Sequence, residues 1–131
     1  MSVVGVGVDV VDIARLGTAL ERTPGLLTRL FTERERTACS SAGGRLRVPG
    51  FAARFAAKEA VAKALGTGVR GFSFLDIEVV TEESGRPTVV LHAQAAELAA
   101  RLGVGCIHVS LSTSADLAVA NVVIESVSPG S

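Results

Sequence analysis

The chain has 131 residues, of which 13 are basic and 13 acidic, so its formal net charge at neutral pH is zero. A balanced charge creates no overall field that would attract nucleic acid or anionic lipid, and we expect neither nucleic-acid nor membrane binding. The length suits a single domain, which we expect to span residues 1–126, followed by a flexible tail at 127–131.

The predicted elements begin with a strand. Val3–Val11 is rich in β-branched residues and contains two glycines, which suits a buried strand that another backbone or a ligand approaches closely. Asp12 is expected to cap a helix that begins at Ile13. Thr32 followed by Glu35 is a capping-box pattern and predicts another short helix that runs to Cys39. The segment 40–49 is expected to be a mobile loop.

The longest predicted helix lies at the centre of the chain. It starts near Pro49, continues through an alanine-rich segment to Leu65, and is expected to end at Gly66. The remaining elements are two strands joined by a hairpin turn, a helix and a last pair of strands: Asp76–Glu82, Pro87–Leu91, Ala93–Leu102, Cys106–Ser112 and Leu117–Ile124. The pattern indicates an α+β fold.

The cysteines and the N-terminus bear on the compartment. Cys39 and Cys106 lack the spacing of a metal-binding motif, and no signal peptide is recognisable, so we expect two free thiols in a cytoplasmic protein. No apolar run reaches the roughly 18 residues that a membrane helix needs.

Two carboxylates and one lysine are candidates for chemistry. Asp9 lies in an otherwise apolar strand, where a charged carboxylate is costly unless a cation or several donors meet it. Glu59 and Lys63 are four residues apart and share one face of the long helix. If that helix packs across the first strand, Asp9 and Glu59 could bind Mg²⁺, with Lys63 near the phosphate groups of a substrate. The alternative is an Asp9 bonded to nearby amides and an exposed Glu59–Lys63 pair.

Other polar residues carry weaker signals. Arg54 and Lys58 form a basic pair typical of a solvated helix face. Gly66-Thr67-Gly68 is typical of a helix C-terminus, although its amides and hydroxyl could also bond a phosphate. A lone strand histidine such as His108 is more often structural, and we assign His92 no role.

Taken in order, these segments resemble the small bacterial holo-acyl-carrier-protein synthase family, from Val4 to Glu125. The matching motifs are Gly5–Ile13 with Arg15, Phe31–Glu35, Arg54–Gly68, Asp76–Val79 and Gly85–Pro87, of which Arg54–Gly68 is the most specific. The resemblance implies the 4'-phosphopantetheinyl transferase fold, with a mainly antiparallel sheet packed on one long helix. It also implies Mg²⁺-dependent transfer of the 4'-phosphopantetheine arm from coenzyme A to a serine of apo acyl carrier protein, with release of 3',5'-ADP. The family is trimeric, with coenzyme A held between subunits.

The resemblance also implies residue roles. Asp9 and Glu59 would be the Mg²⁺ ligands, and Asp9, Glu59 and Lys63 the catalytic residues. Coenzyme A would be contacted by Arg54, Lys63, Gly66, Thr67, Gly85, Pro87 and His108. Where the family usually has a second histidine, this chain has Thr113, which puts an acid–base role at that position in question. Either Glu59 or a water on the metal would accept the proton of the serine.

Carrier proteins are acidic, so Arg15 and Arg22 on the first helix are candidates for carrier docking, with Arg29 less certain. Solvated arginines with no partner are the alternative. Two other functions also stay open: a catalytically silent nucleotide-binding scaffold of the same fold, and a different Mg²⁺-dependent phosphotransferase that acts on small nucleotides.

Overall fold

The structure, a computed structural model, describes residues 2–66, 68 and 71–127. Its elements in chain order are β1 Val3–Asp12, α1 Ile13–Arg22, α2 Leu26–Leu30, α3 Glu33–Ala38, α4 Val48–Ala64, a 3₁₀ turn Phe74–Asp76, β2 Ile77–Thr81, β3 Pro87–Leu91, α5 Ala93–Arg101, β4 Val104–Thr113 and β5 Leu117–Ser126. Within the described part of the chain, no helix is both long and apolar enough to cross a membrane.

The predicted helix starts are confirmed by their caps. The side chain of Asp12 accepts a hydrogen bond from the backbone N–H of Arg15 at 2.9 Å. At the start of α3, Thr32 and Glu35 form the complete capping box, in which each side chain accepts a hydrogen bond from the backbone N–H of the other residue. The predicted loop at 40–49 is shorter than expected, because α4 begins inside it at Val48.

Two antiparallel sheets confirm the α+β fold. The larger sheet has the strand order β1–β5–β4, and the smaller one is the β2–β3 hairpin. Helix α4 packs on one face of the larger sheet, mainly against β1 and β5. The predicted tail falls outside the described residues except for Val127, whose N–H donates to the carbonyl of Gly103 at 2.8 Å.

Glycines allow α4 to lie directly on β1. A Cβ atom at Gly5 would lie 1.9 Å from the carbonyl oxygen of Ala64, and a Cβ atom at Gly7 would lie 2.0 Å from that of Ala60. Any side chain at these positions would therefore collide with the helix backbone. The next residue on this face of β1 is Asp9, so the same contact brings it against α4.

Helix α4 is buried on nearly all sides, whereas the opposite face of the sheet is open. Alanines along α4 form the centre of both hydrophobic clusters of the core. On the far face of β1, Val6, Val8 and Val10 are each more than half exposed. One sheet face is thus packed, whereas on the other face the valines of β1 are not covered by any part of the chain that the structure describes.

Candidate active site

The contact between β1 and α4 joins the three residues singled out for chemistry. The Nζ atom of Lys63 donates to Oδ1 of Asp9 at 2.8 Å and to the carbonyl oxygen of Val8 at 3.0 Å. Glu59 lies one turn earlier on α4 and is half-buried. Lys63 therefore pairs with Asp9 across the two elements, and the expected crossing of the first strand by the long helix is present.

The charges of this group act on one another. Burial raises the pKa of Glu59, and the negative charge of Asp9 raises it further, while Lys63 opposes both effects. The pKa of Lys63 is also raised, because its hydrogen bond to Asp9 and the charges of Asp9 and Glu59 favour the ammonium form. One lysine thus faces two carboxylates, and the negative charge is only partly offset.

The donor set suits a hard divalent cation. Carboxylate oxygens are the protein ligands that Mg²⁺ prefers, and this ion usually binds through one or two of them while keeping waters and substrate phosphate oxygens. Asp9 and Glu59 supply two such groups on rigid elements, and their uncompensated charge favours a cation. The residues therefore fit Mg²⁺.

An open cleft lies beside Asp9. It has a volume of about 560 Å³ and is bounded by β1, α1 and α2. Its walls are largely apolar, with Leu16, Leu26 and Phe55 among the lining side chains. Arg15 also lines it. An elongated, partly apolar substrate could thus reach Asp9 from this side.

Arg54 belongs to a second group of residues. Its Nη2 donates to Oγ1 of Thr81 at 3.0 Å and its Nη1 to the carbonyl oxygen of Gly50 at 3.3 Å. Its Nε atom is buried and has no hydrogen-bond partner among the described residues. Thr81 pairs with Pro87 in the β2–β3 hairpin, whose turn contains Gly85. Three predicted coenzyme A contacts, Arg54, Gly85 and Pro87, therefore belong to one helix–hairpin region.

Two other predicted coenzyme A contacts, Gly66 and His108, lie outside this region. Gly66 follows the C-terminus of α4 with a φ of 86° and donates its N–H to the carbonyl of Lys63, so its helix-ending role is confirmed. Thr67 lies outside the described residues. His108 lies on β4, opposite Val123, and this register places it on the sheet face that points away from α4. Within the chain, His108 and Asp9 are therefore on opposite faces of the sheet.

The two candidate docking residues are exposed on α1. Arg15 lines the cleft beside Asp9, while Arg22 lies in the last turn of the helix. The helix presents both guanidinium groups to solvent. Thr113, at the position of the missing family histidine, ends β4 and pairs with Ala118.

The prediction for Lys58 was wrong. Its side chain is fully buried, and Nζ donates to Oε1 of Glu35 at 2.7 Å and to the carbonyl oxygens of Ile77 at 2.6 Å and Phe74 at 2.9 Å. Burial lowers the pKa of Lys58, although the charge of Glu35 opposes this shift. The solvated-face interpretation failed because α4 is surrounded by core on this side, so the lysine needed a partner inside the protein.

Sequence reasoning also missed the role of His92. Its Nε2 lies 3.1 Å from Oε1 of Glu78, while Oε2 of Glu78 accepts a hydrogen bond from Thr32 at 2.5 Å. Burial works against the charged form of Glu78, but these two bonds and the nearby Arg34 outweigh it and lower the pKa of Glu78. The contact ties α5 to β2 and α3, and a strand-end histidine gave no signal for it.

Comparison with known proteins places this geometry in a family. The sequence model of the 4'-phosphopantetheinyl transferase superfamily matches residues 5–120. A holo-acyl-carrier-protein synthase of Streptomyces avermitilis is 52% identical over 125 residues, which cover 95% of this chain and 99% of the relative.

Two solved structures are also similar. The holo-acyl-carrier-protein synthase of Helicobacter pylori, in complex with coenzyme A, matches with a TM-score of 0.79 and 30% identity over 92% of this chain and 99% of its own. The synthase of Bacillus anthracis, in complex with CoA (3',5'-ADP), matches with a TM-score of 0.77 and 34% identity over 97% of this chain and 100% of its own. Since the matched region includes the β1 glycines, Asp9 and all of α4, the chain belongs to the 4'-phosphopantetheinyl transferase superfamily, among the holo-acyl-carrier-protein synthases.

Proposed function

We propose that this chain transfers the 4'-phosphopantetheine arm of coenzyme A to a serine of apo acyl carrier protein and releases 3',5'-ADP. The observation that carries the proposal is the pairing of Asp9 with Lys63 across the β1–α4 contact, with Glu59 beside them and an open cleft next to Asp9. Relatives with about half of their residues identical are named for this activity, and solved relatives hold coenzyme A.

Asp9 and Glu59 are proposed to hold Mg²⁺. Two half-buried carboxylates support this assignment, since the charge of Asp9 helps to raise the pKa of Glu59 and Lys63 opposes this shift only in part. The bound ion would offset the negative charge of the diphosphate of coenzyme A while the bond to the leaving 3',5'-ADP breaks.

The residues of the chain divide the remaining work. The serine Oγ of the carrier attacks the phosphorus on the pantetheine side, and the bond from that phosphorus to the leaving 3',5'-ADP breaks. Glu59 accepts the proton of the serine. Lys63, held in place by Asp9, stabilises the negative charge on the leaving group.

Coenzyme A is proposed to bind between subunits of a homotrimer. Arg54 and the β2–β3 hairpin, with Gly85 and Pro87, would contact the nucleotide together with Gly66 and Thr67. His108 would be contributed by a neighbouring subunit, because it lies on the opposite sheet face from Asp9. The exposed valines of β1 support an assembly that covers this face.

Acidic acyl carrier protein is proposed to dock on α1 through Arg15 and Arg22. The exposure of both residues and the place of Arg15 on the cleft support this surface. We further propose that residues 1–126 form one domain, since α4 contacts strands of both sheets. A cytoplasmic location is supported by the two free thiols, which suit a reducing compartment.

The test is a transfer assay read by mass spectrometry. The purified chain is mixed with Mg²⁺, coenzyme A and apo acyl carrier protein, and the carrier is expected to gain the mass of one phosphopantetheine arm. A carrier with alanine in place of its acceptor serine is the matched control and is expected to gain nothing.

Two outcomes would reject the proposal. An unchanged carrier, together with measurable coenzyme A binding, would favour the silent nucleotide-binding scaffold. Release of phosphate from simple nucleotides without any carrier would favour a different phosphotransferase.

A further inference from the structure

A second polar cluster lies on the open face of the large sheet. Cys106 and His108 are two residues apart on β4 and so project to the same side, and Glu125 lies opposite Cys106 on β5. The Nε2 atom of His108 is 2.5 Å from Oε1 of Glu125 and 3.4 Å from Sγ of Cys106. Two paired strands thus hold a thiol, an imidazole and a carboxylate together.

The three donor atoms are close enough to share one ion. They all lie within 4.8 Å of one another. Donors bound to one tetrahedral Zn²⁺ at its usual bond lengths are roughly 3.3–3.6 Å apart, which the Cys106–His108 separation already matches. The shorter His108–Glu125 separation is that of a hydrogen bond, so binding of a metal would replace the proton that these two groups share and move them slightly apart.

The chemistry of this cluster differs from that of the Asp9–Glu59 pair. Sulfur, nitrogen and oxygen donors together favour Zn²⁺, whereas a pair of carboxylates favours Mg²⁺. The two groups also lie on opposite faces of the sheet. A zinc ion at the cluster would therefore share no ligand with the proposed magnesium site, although it would occupy the His108 side chain that is proposed above to contact coenzyme A in a neighbouring subunit.

We propose that Cys106, His108 and Glu125 form a zinc-binding site with three protein ligands. The side chain of His108 is 47% exposed and that of Glu125 28%, so the fourth coordination position is open to solvent or to a donor from another copy of the chain. Cys106 would bind as the thiolate, and the ion would replace the hydrogen bond between His108 and Glu125. The bound ion stabilises the folded chain, and above the Kd this stabilisation rises with the logarithm of the free zinc concentration.

The test uses Co²⁺ as a spectroscopic substitute for Zn²⁺, on the untagged chain freed of metal and kept reduced. One equivalent of Co²⁺ is expected to produce the absorption of a tetrahedral cobalt ion with a cobalt–thiolate charge-transfer band. Zn²⁺ is expected to remove both signals, and a large excess of Mg²⁺ is expected to leave them. Zn²⁺ alone is expected to raise the melting temperature.

Three variants make the assignment specific. Cys106→Ser is expected to abolish the charge-transfer band, and Glu125→Gln to keep the band while weakening cobalt affinity at least about tenfold. Cys39→Ala is the matched control, because Cys39 is the other free thiol of the chain and is buried elsewhere, and it is expected to bind cobalt like the parent.

Several results would overturn the proposal. These are the absence of a thiolate band in the parent chain, a band that persists in Cys106→Ser, a band lost in Cys39→Ala, and unaltered affinity in Glu125→Gln. None of these readouts depends on carrier modification, so the zinc proposal and the proposed transfer activity can fail separately.

Discussion

Helix α4 carries two lysines that form ion pairs of opposite character. Lys58 is fully buried and its three contacts, to Glu35 and to two backbone carbonyls, use all three of its protons. Lys63 is about half exposed and pairs with Asp9, while Glu59 beside them forms no ion pair with any of the described residues. The charges of the Lys58–Glu35 pair balance each other. The group of Asp9, Glu59 and Lys63 has one positive and two negative side chains, so it carries a net negative charge.

The difference separates a structural site from a site for chemistry. A buried ion pair with every group satisfied holds elements together, in this case α4, α3 and β2. A group with an unbalanced charge beside an open cleft is costly to the fold unless a ligand completes it. Variants of the Lys58–Glu35 pair should therefore lower the stability of the fold, whereas variants of Asp9, Glu59 or Lys63 should lower turnover.

The largest effect is expected for Lys58→Met. The change leaves the carboxylate of Glu35 buried without its cation, so the free energy of unfolding should fall by about 3–5 kcal/mol. Urea denaturation monitored by circular dichroism measures this loss. The double variant Lys58→Met/Glu35→Gln should recover part of it, because no unpaired charge remains. Equal stability of Lys58→Met and the parent would refute the structural role of the pair.

Glu59→Gln should show the reverse behaviour. It removes a proposed metal ligand and proton acceptor, so transfer should fall about 100-fold or more, as measured by kcat with saturating carrier. The free energy of unfolding at neutral pH should stay level or rise, because the ionised carboxylate is disfavoured by burial and by Asp9. Turnover near that of the parent would remove Glu59 from the proposed site.

The sequence predicts those structural features that depend on residues close together in the chain. The Asp12 cap and the Thr32–Glu35 capping box each depend on residues three apart, and both are present. The glycines of β1 indicated close approach by another backbone or by a ligand, and the backbone of α4 makes this approach. Such signals need no knowledge of the rest of the chain.

The burial of Lys58 could not be predicted in this way. Its partner Glu35 is 23 residues away, and the spacing of Arg54 and Lys58 is the same as on a solvated helix. One signal was available, since a helix with alanines on all sides offers no polar face to solvent. Asp9 and Lys63 are 54 residues apart, and their meeting depended on the helix crossing the strand, which spacing alone left conditional.

Gly7→Ala should disturb the contact of Lys63 with Asp9 more than the buried Lys58–Glu35 pair. The added Cβ would lie 2.0 Å from the carbonyl oxygen of Ala60, so α4 and β1 must separate at the place where Lys63 meets Asp9. The expected loss is about 1–3 kcal/mol of unfolding free energy, with a fall in transfer. Gly17→Ala on α1 is the matched control, because its Cβ would meet only the Val48 side chain at 3.4 Å. Similar stability of the two variants would contradict the close-approach argument.

Charge reversal on α1 tests whether acyl carrier protein docks beside the cleft that leads to Asp9. Arg15→Glu/Arg22→Glu should raise the KM for acyl carrier protein about tenfold at low salt, through lost electrostatic attraction, and leave the KM for coenzyme A unchanged. Arg101→Glu, on the exposed face of α5, is the control and should change neither value. Carrier saturation unaltered in the double variant would reject this docking surface.

The smallest expected effect is a pH dependence of the unfolding free energy that is caused by Glu59. The folded state holds the proton of Glu59 more tightly than the unfolded state, because burial and then Asp9 raise its pKa. The stability contributed by this proton is therefore fully present below the ordinary glutamate pKa and is lost as pH rises through the raised value. The difference in unfolding free energy between the parent and Glu59→Gln should fall over that window. Asp9→Asn should narrow this pH window, because one cause of the raised pKa of Glu59 is removed. If the difference in unfolding free energy does not depend on pH, the pKa of Glu59 is not raised in the folded state.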